Sequence, residues 1–137
     1  MRTLGIDYGR KRLGLALSDE NGILASPLSV YQRRGLEQDL SSLDRLVKEN
    51  GAGNIIIGLP LNMDGSKGKM AMEVLSFSDR LSKRLELPVS TFDERYTSLE
   101  AERVLQEASL SRKKRKIARD SLAAVLILQG WLDKNNE

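Results

Sequence analysis

Neither cysteine nor histidine occurs anywhere in the 137 residues. The first absence excludes a disulfide framework, a thiol nucleophile and a thiolate metal site. The second excludes an imidazole base, a Ser-His pair and histidine-ligated zinc. Aromatic residues make up only 4% of the chain, too few for base stacking to be the main grip on a nucleic acid. No apolar run is long enough to span a membrane, and the first short strand turns to charge rather than continuing as a signal peptide. A cytoplasmic protein is the expectation. Any chemistry must then come from carboxylates, lysines, hydroxyls or a hard metal ion.

What is present is an ordinary globular balance, with 40% hydrophobic and 30% charged residues and a net charge of +3. The length suits one domain over residues 1–137 and leaves no room for two lobes. Residues 3–7 and 13–18 read as strands joined by a tight basic turn, and 23–31 as a third strand after an Asn21-Gly22 turn. Leu36, Leu40, Leu43 and Val47 recur at helical spacing, and Gly51 and Gly53 stop that helix. Residues 54–60 carry a continuous apolar run, as in a parallel strand covered on both faces. Met70, Val74, Phe77, Leu81 and Leu85 mark a second helix, and residues 89–93 a further strand. Thr97-Ser98-Leu99-Glu100 is a capping box for a third helix reaching about residue 108, and Ser111 can cap a last helix that runs to Trp131 or Leu132. Three meandering strands followed by alternating helices and strands make an α/β fold with a mixed sheet.

Within the opening GIDYGRKR, strand alternation sets Gly5, Asp7 and Gly9 on one face and Leu4, Ile6 and Tyr8 on the other. The next strand repeats the split, Gly14, Ala16 and Ser18 against Leu13, Leu15 and Leu17. One face is greasy and the other nearly bare, and glycine in a strand marks the close approach of a backbone or a ligand. A carboxylate in that clearing can bind a divalent cation or polarise a water. Alternatively, Asp7 ends the strand and caps a turn in which Gly9 takes a positive φ. The pattern also resembles the first phosphate loop of the actin and sugar-kinase ATPases, which need a second lobe to close over nucleotide.

Residues 112–119 hold six cations in eight positions at a helix start, where each is disfavoured by roughly 0.3–1 kcal/mol against the helix dipole. Phosphates would relieve that strain, although a solvated charge run is the simpler alternative. With Arg10-Lys11-Arg12 and Arg33-Arg34, three basic clusters are available to track a polyanion. Asp120 follows at once, on the small-residue side of an apolar helix, in line with Ala124. It either pairs with Lys116 one turn earlier or, because the alanines let the helix approach the sheet, comes towards Asp7. At Phe92-Asp93-Glu94-Arg95 only one of the two acids can join a common site. Residues 61–69 form either an anion nest or an ordinary loop, and they lack the P-loop residues at 63 and 70. Separated acids, oxygen-only ligands and basic clusters together point to a metal-dependent nuclease.

The stretches GIDYGRKRLGLALSD, IIIGLPLNMDGSKGKMA, FDERYTSLEAERVL and RKKRKIARDSLAAVLILQGWL resemble the YqgF/RuvX family of the RNase H-like superfamily, in that family's order. The resemblance implies an RNase H-like fold with a mixed five-stranded sheet flanked by helices, in a cytoplasmic bacterial protein. The family is described both as a Holliday-junction resolvase and as a nuclease maturing the 5′ end of small-subunit ribosomal RNA. Carried over, Asp7, Glu94 and Asp120 would hold Mg²⁺ or Mn²⁺ and carry catalysis, with Glu94 favoured over Asp93. Phosphate contacts are expected from Arg10, Lys11, Arg12, Lys67, Lys69, Arg95, Arg112, Lys113, Lys114, Arg115 and Lys116. Wider-superfamily enzymes put an acid near the end of the fourth strand, where this chain has Gly58-Leu59-Pro60. A single-metal site is therefore an alternative to a two-metal one. Three functions follow: an RNA-maturing nuclease, a resolvase of four-way DNA junctions working as a dimer, or a non-catalytic RNA-binding assembly factor.

Overall fold

A computed structural model of the chain describes residues 1–96 and 121–137. Five strands, β1 (Arg2–Tyr8), β2 (Arg12–Ser18), β3 (Ala25–Gln32), β4 (Ala52–Leu59) and β5 (Val89–Asp93), form one mixed sheet ordered β3-β2-β1-β4-β5. The β1–β2 and β2–β3 pairs are antiparallel, whereas β4 runs parallel to both β1 and β5. Helices α1 (Leu36–Asn50) and α2 (Lys69–Leu85) share a core with one face, and α3 (Leu122–Asn135) covers the other. A 3₁₀ turn, Glu94–Tyr96, follows β5 directly.

The alternation expected of β1 and β2 decides which residues go where. Leu4, Ile6, Leu13 and Leu15 pack with Ile55 and Ile57 of β4 against Leu43, Val47, Phe77 and Leu81 of α1 and α2. On the opposite face Ala16, Ile56 and Phe92 meet Ala124, Ile127 and Leu128 of α3. Over β1 and β2 that side is thin, because Gly5, Gly14 and Ala16 are small. A Cβ added to Gly5 would lie 2.7 Å from the Leu128 Cβ and 3.2 Å from the Ala124 carbonyl oxygen, so α3 rests directly on the β1 backbone. The close helix approach expected from the alanines is present here.

Some boundaries differ from the sequence reading. Ile23 and Leu24 stay outside β3 and are more than half exposed, because the Asp19 carboxylate accepts their amides at 2.7 and 3.1 Å and holds them in the preceding turn. Gly22, at φ +70°, supplies that turn as expected. Gly51, at φ +66°, ends α1 by itself, and Gly53 already belongs to β4. Helix α3 continues past Leu132 to Asn135. The capping box at 97–100, the helix to 108, Ser111, the cations of 112–119 and Asp120 lie outside the described residues.

Candidate functional site

Asp7 sits near the carboxyl end of β1, half-buried and paired across the sheet with Gly14. Burial raises its carboxyl above the ordinary aspartate range. Among the described residues its carboxylate accepts no hydrogen bond, so it does not cap a turn. Gly9 does not take a positive φ either. Its Cβ would stand 2.5 Å from the Arg12 carbonyl oxygen, so the glycine serves a close backbone approach in the basic turn.

The two acids that close β5 part company. Asp93 is gripped by its neighbour-but-one: Arg95 Nε donates to both its carboxylate oxygens at 3.0 and 2.9 Å and Nη2 reaches Oδ2 at 2.6 Å. These bonds hold the Asp93 carboxyl below its usual value. Glu94 turns to the α3 side, where its Oε1 lies against Gly58 of β4. Burial first, then the negative charges of Asp7 and Asp93, push the Glu94 carboxyl up. Asp7 and Glu94 thus share one half-buried region at the carboxyl ends of parallel strands. Sequence alternation separated Asp93 from Glu94, but it gave no sign that Gly58 would lie under the glutamate. An isolated glycine in an apolar strand was the available signal.

The cations do not all face solvent in the same way. Arg10 is tied to Glu73 of α2 at 2.6 Å, while Lys11, Arg12, Lys67 and Lys69 are exposed. Arg95 serves the fold, donating also to the Met63 carbonyl at 3.2 Å and so fastening the β4–α2 loop to the end of β5. Within that loop Asp64 accepts the Ser66 amide at 2.9 Å, so the loop supplies its own anion and is not an open nest. Arg33 was expected in a phosphate-tracking cluster, but its side chain is only 14% exposed. It donates to buried Asp39 at 2.9 Å and to the Gly9 carbonyl at 3.0 Å, and lies over the rings of Tyr8 and Phe77. Nothing in the spacing of Arg33 and Asp39 announced this interior pair.

The donors present suit a hard divalent cation. Two half-buried carboxylates with raised pKa, one of them repelled by the other, are a pair whose charge a cation would neutralise. No group of three such side chains is assembled among the described residues, and the third expected acid, Asp120, falls outside them.

The sequence profile of the family described as RuvX, Holliday junction resolvase, matches residues 1–134. A protein of Syntrophomonas wolfei is 50% identical over 133 residues, covering 97% of this chain and 94% of its own. One of Halothermothrix orenii is 46% identical over 137 residues, covering 100% and 98%. Both are named "Putative pre-16S rRNA nuclease". Among solved structures, Thermus thermophilus RuvC superposes with a TM-score of 0.61 at 12% identity, covering 98% of this chain and 97% of that one. The fowlpox virus resolvase, solved with its substrate Holliday junction DNA, gives 0.55 at 12% identity over the whole of both chains. At such identity the likeness is one of fold, the RNase H-like mixed sheet.

Proposed function

The chain belongs to the RuvX family, and from that premise we propose that it is a nuclease whose Asp7 and Glu94 hold a divalent cation, Mg²⁺ or Mn²⁺. The observation that carries the proposal is that Glu94, far from Asp7 in sequence, lays its Oε1 against Gly58 of β4, near enough to the half-buried Asp7 that, after burial, the Asp7 charge pushes the Glu94 carboxyl up. Asp120, immediately before the residues that lead into α3, is the proposed third acid. When bound, the cation would activate a water and steady the leaving oxygen of a phosphodiester. The chain's own part is to keep both carboxylates partly out of water, where their attraction for a cation is least screened. Its exposed Lys11 and Arg12, at the β1–β2 turn and the start of β2, and Lys67 and Lys69, just before and at the start of α2, would take the neighbouring phosphates.

The substrate proposed is precursor small-subunit ribosomal RNA, at its 5′ end; the names of the relatives reported above, "Putative pre-16S rRNA nuclease", support the precursor as substrate. The test offers labelled precursor and a synthetic four-way DNA junction side by side, with Mg²⁺, with Mn²⁺ and with chelator. Cleavage of the precursor in either metal and none in chelator is expected. Asp7→Asn should abolish cutting while RNA binding stays the same or tightens, since a charge repelling phosphate is lost. Parent-rate cutting by that variant would sink the site assignment. Cleavage confined to the junction would move the substrate to DNA, and salt-dependent binding without cleavage would make the protein an assembly factor.

A further inference from the structure

Gly58 follows the branched, apolar run Ile55-Ile56-Ile57 in β4, at a place where glycine weakens a sheet. It pairs with Phe92 of β5, and the register that matches Ile6 with Ile57 sets Asp7 beside it on β1. Asp7 and Glu94 therefore arise on opposite sides of β4, from strands roughly 9.5 Å apart at the usual spacing, and Glu94 lies two residues further along than Phe92, the residue level with Gly58. Two oxygens bound to one Mg²⁺ stand within about 4.2 Å of each other. Side chains must close that gap, and the direct route runs over β4. A Cβ built on Gly58 would stand 2.5 Å from Glu94 Oε1 and 3.0 Å from its Cγ, and would also meet the Ile127 Cδ1. The glutamate occupies the space that a side chain at 58 would fill.

We propose that Gly58 is a positioning residue, its missing side chain being the passage by which Glu94 crosses β4 to share a cation with Asp7. This deepens the nuclease reading and rests on it for the cation. A larger residue meets two contacts, the Ile127 Cδ1 and the Glu94 Oε1, and the movement of one does not relieve the other. Ile127 meets the glycine through the far end of a flexible side chain, which yields readily. Glu94 meets it through the very oxygen that would ligate, so the response with a functional consequence falls there.

The experiment measures Mn²⁺ binding to the full chain by calorimetry, with thermal unfolding recorded alongside, for the parent, Gly58→Ala, Glu94→Ala and the double variant. Gly58→Ala should weaken Mn²⁺ binding by about 10- to 100-fold, the usual effect of disturbing what orients a ligand. Glu94→Ala should weaken it at least as much, and the double variant no further, because both act through one side chain. Ile127→Val, which removes the other contact, should restore stability to Gly58→Ala without restoring affinity. Additive losses, parent-like affinity in a folded Gly58→Ala, or recovery of affinity through Ile127→Val would each overturn the proposal and leave Gly58 a helix-packing residue. A parent that binds no Mn²⁺ overturns the cation reading itself. A crystal structure of Gly58→Ala gives a metal-independent arm: Glu94 displaced supports the role, while Glu94 in place beside a moved Ile127 refutes it.

Discussion

Replacing Asp39 by asparagine preserves the shape of the side chain and removes its charge. In the native protein this carboxylate is fully buried and accepts hydrogen bonds from Tyr31 Oη at 2.9 Å, Arg33 Nε at 2.9 Å and the Arg34 amide at 3.0 Å. Losing one member of a buried ion pair costs about 3–5 kcal/mol, because the other charge is left without compensation. Arg33 keeps the Gly9 carbonyl and the faces of Tyr8 and Phe77, at 4.9 and 5.4 Å, which sets the expected loss at the lower end, about 3 kcal/mol. For a chain of this length that lowers Tm by about 10 °C. Urea titration of Asp39→Asn, Arg33→Met and the double variant measures it, and the double variant should lose less than Asp39→Asn alone. The loss also depends on pH. Burial by itself would raise the Asp39 carboxyl, but the bonds from Arg34, Arg33 and Tyr31 outweigh it and hold the group below its ordinary range. A depressed native pKa gives stability that is complete above the unfolded value, about 3.9, and is lost as pH falls through the native value. The gap between parent and variant should stay level from neutrality to about pH 4 and narrow below it. A loss under about 1 kcal/mol at pH 7, or a gap that never narrows on acidification, would refute the argument.

Three further outcomes are expected. Asp7 has a raised carboxyl pKa, so the parent loses stability as pH rises through that value. Asp7→Asn should therefore melt higher than the parent at pH 7 in chelator, with the advantage gone below about pH 4, and equal melting at both would count against burial as the cause. Gly5→Ala should cost about 1–3 kcal/mol by forcing α3 off the sheet. Leu128→Ala should not rescue it, because the colliding atom is the Leu128 Cβ, which alanine retains; full recovery in chemical denaturation would contradict this packing. Asp93→Asn should keep most cleavage activity while Glu94→Gln loses it, since Asp93 is committed to Arg95; the opposite ranking in a single-turnover assay would exchange their roles.

The sheet was legible because period-two alternation in β1 and β2 is a strong signal, and because the run of three isoleucines in β4 suits a strand covered on both faces. Helix α1 was legible through Leu36, Leu40, Leu43 and Val47 and its left-handed glycine cap. Local patterns could not reveal that the Asp19 side chain would keep two apolar residues out of β3, since that depends on a five-residue turn closing on itself. Arg33 looked like a surface cation because nothing in its neighbourhood tells a buried arginine from a solvated one. Its partners Tyr8, Gly9 and Asp39 are assembled only by the tertiary fold. For the site, Asp7 stood out by its glycine-lined face, and the parity of Asp93 and Glu94 narrowed the second acid to a choice. That Glu94 would lie against Gly58 was not legible, since it depends on which strand lies beside β5.

The β1–β2 turn that carries Lys11 and Arg12 is held from behind. The Arg33 guanidinium donates to the Gly9 carbonyl at 3.0 Å and the Arg33 amide to the Lys11 carbonyl at 2.9 Å. A loop frozen before its ligand arrives has little backbone entropy left to surrender, so more of each phosphate contact survives as net affinity. Arg33 would then tighten the hold on a polyanion it never touches, and loosening it should appear as a larger entropic penalty on association rather than as a missing charge in the salt dependence.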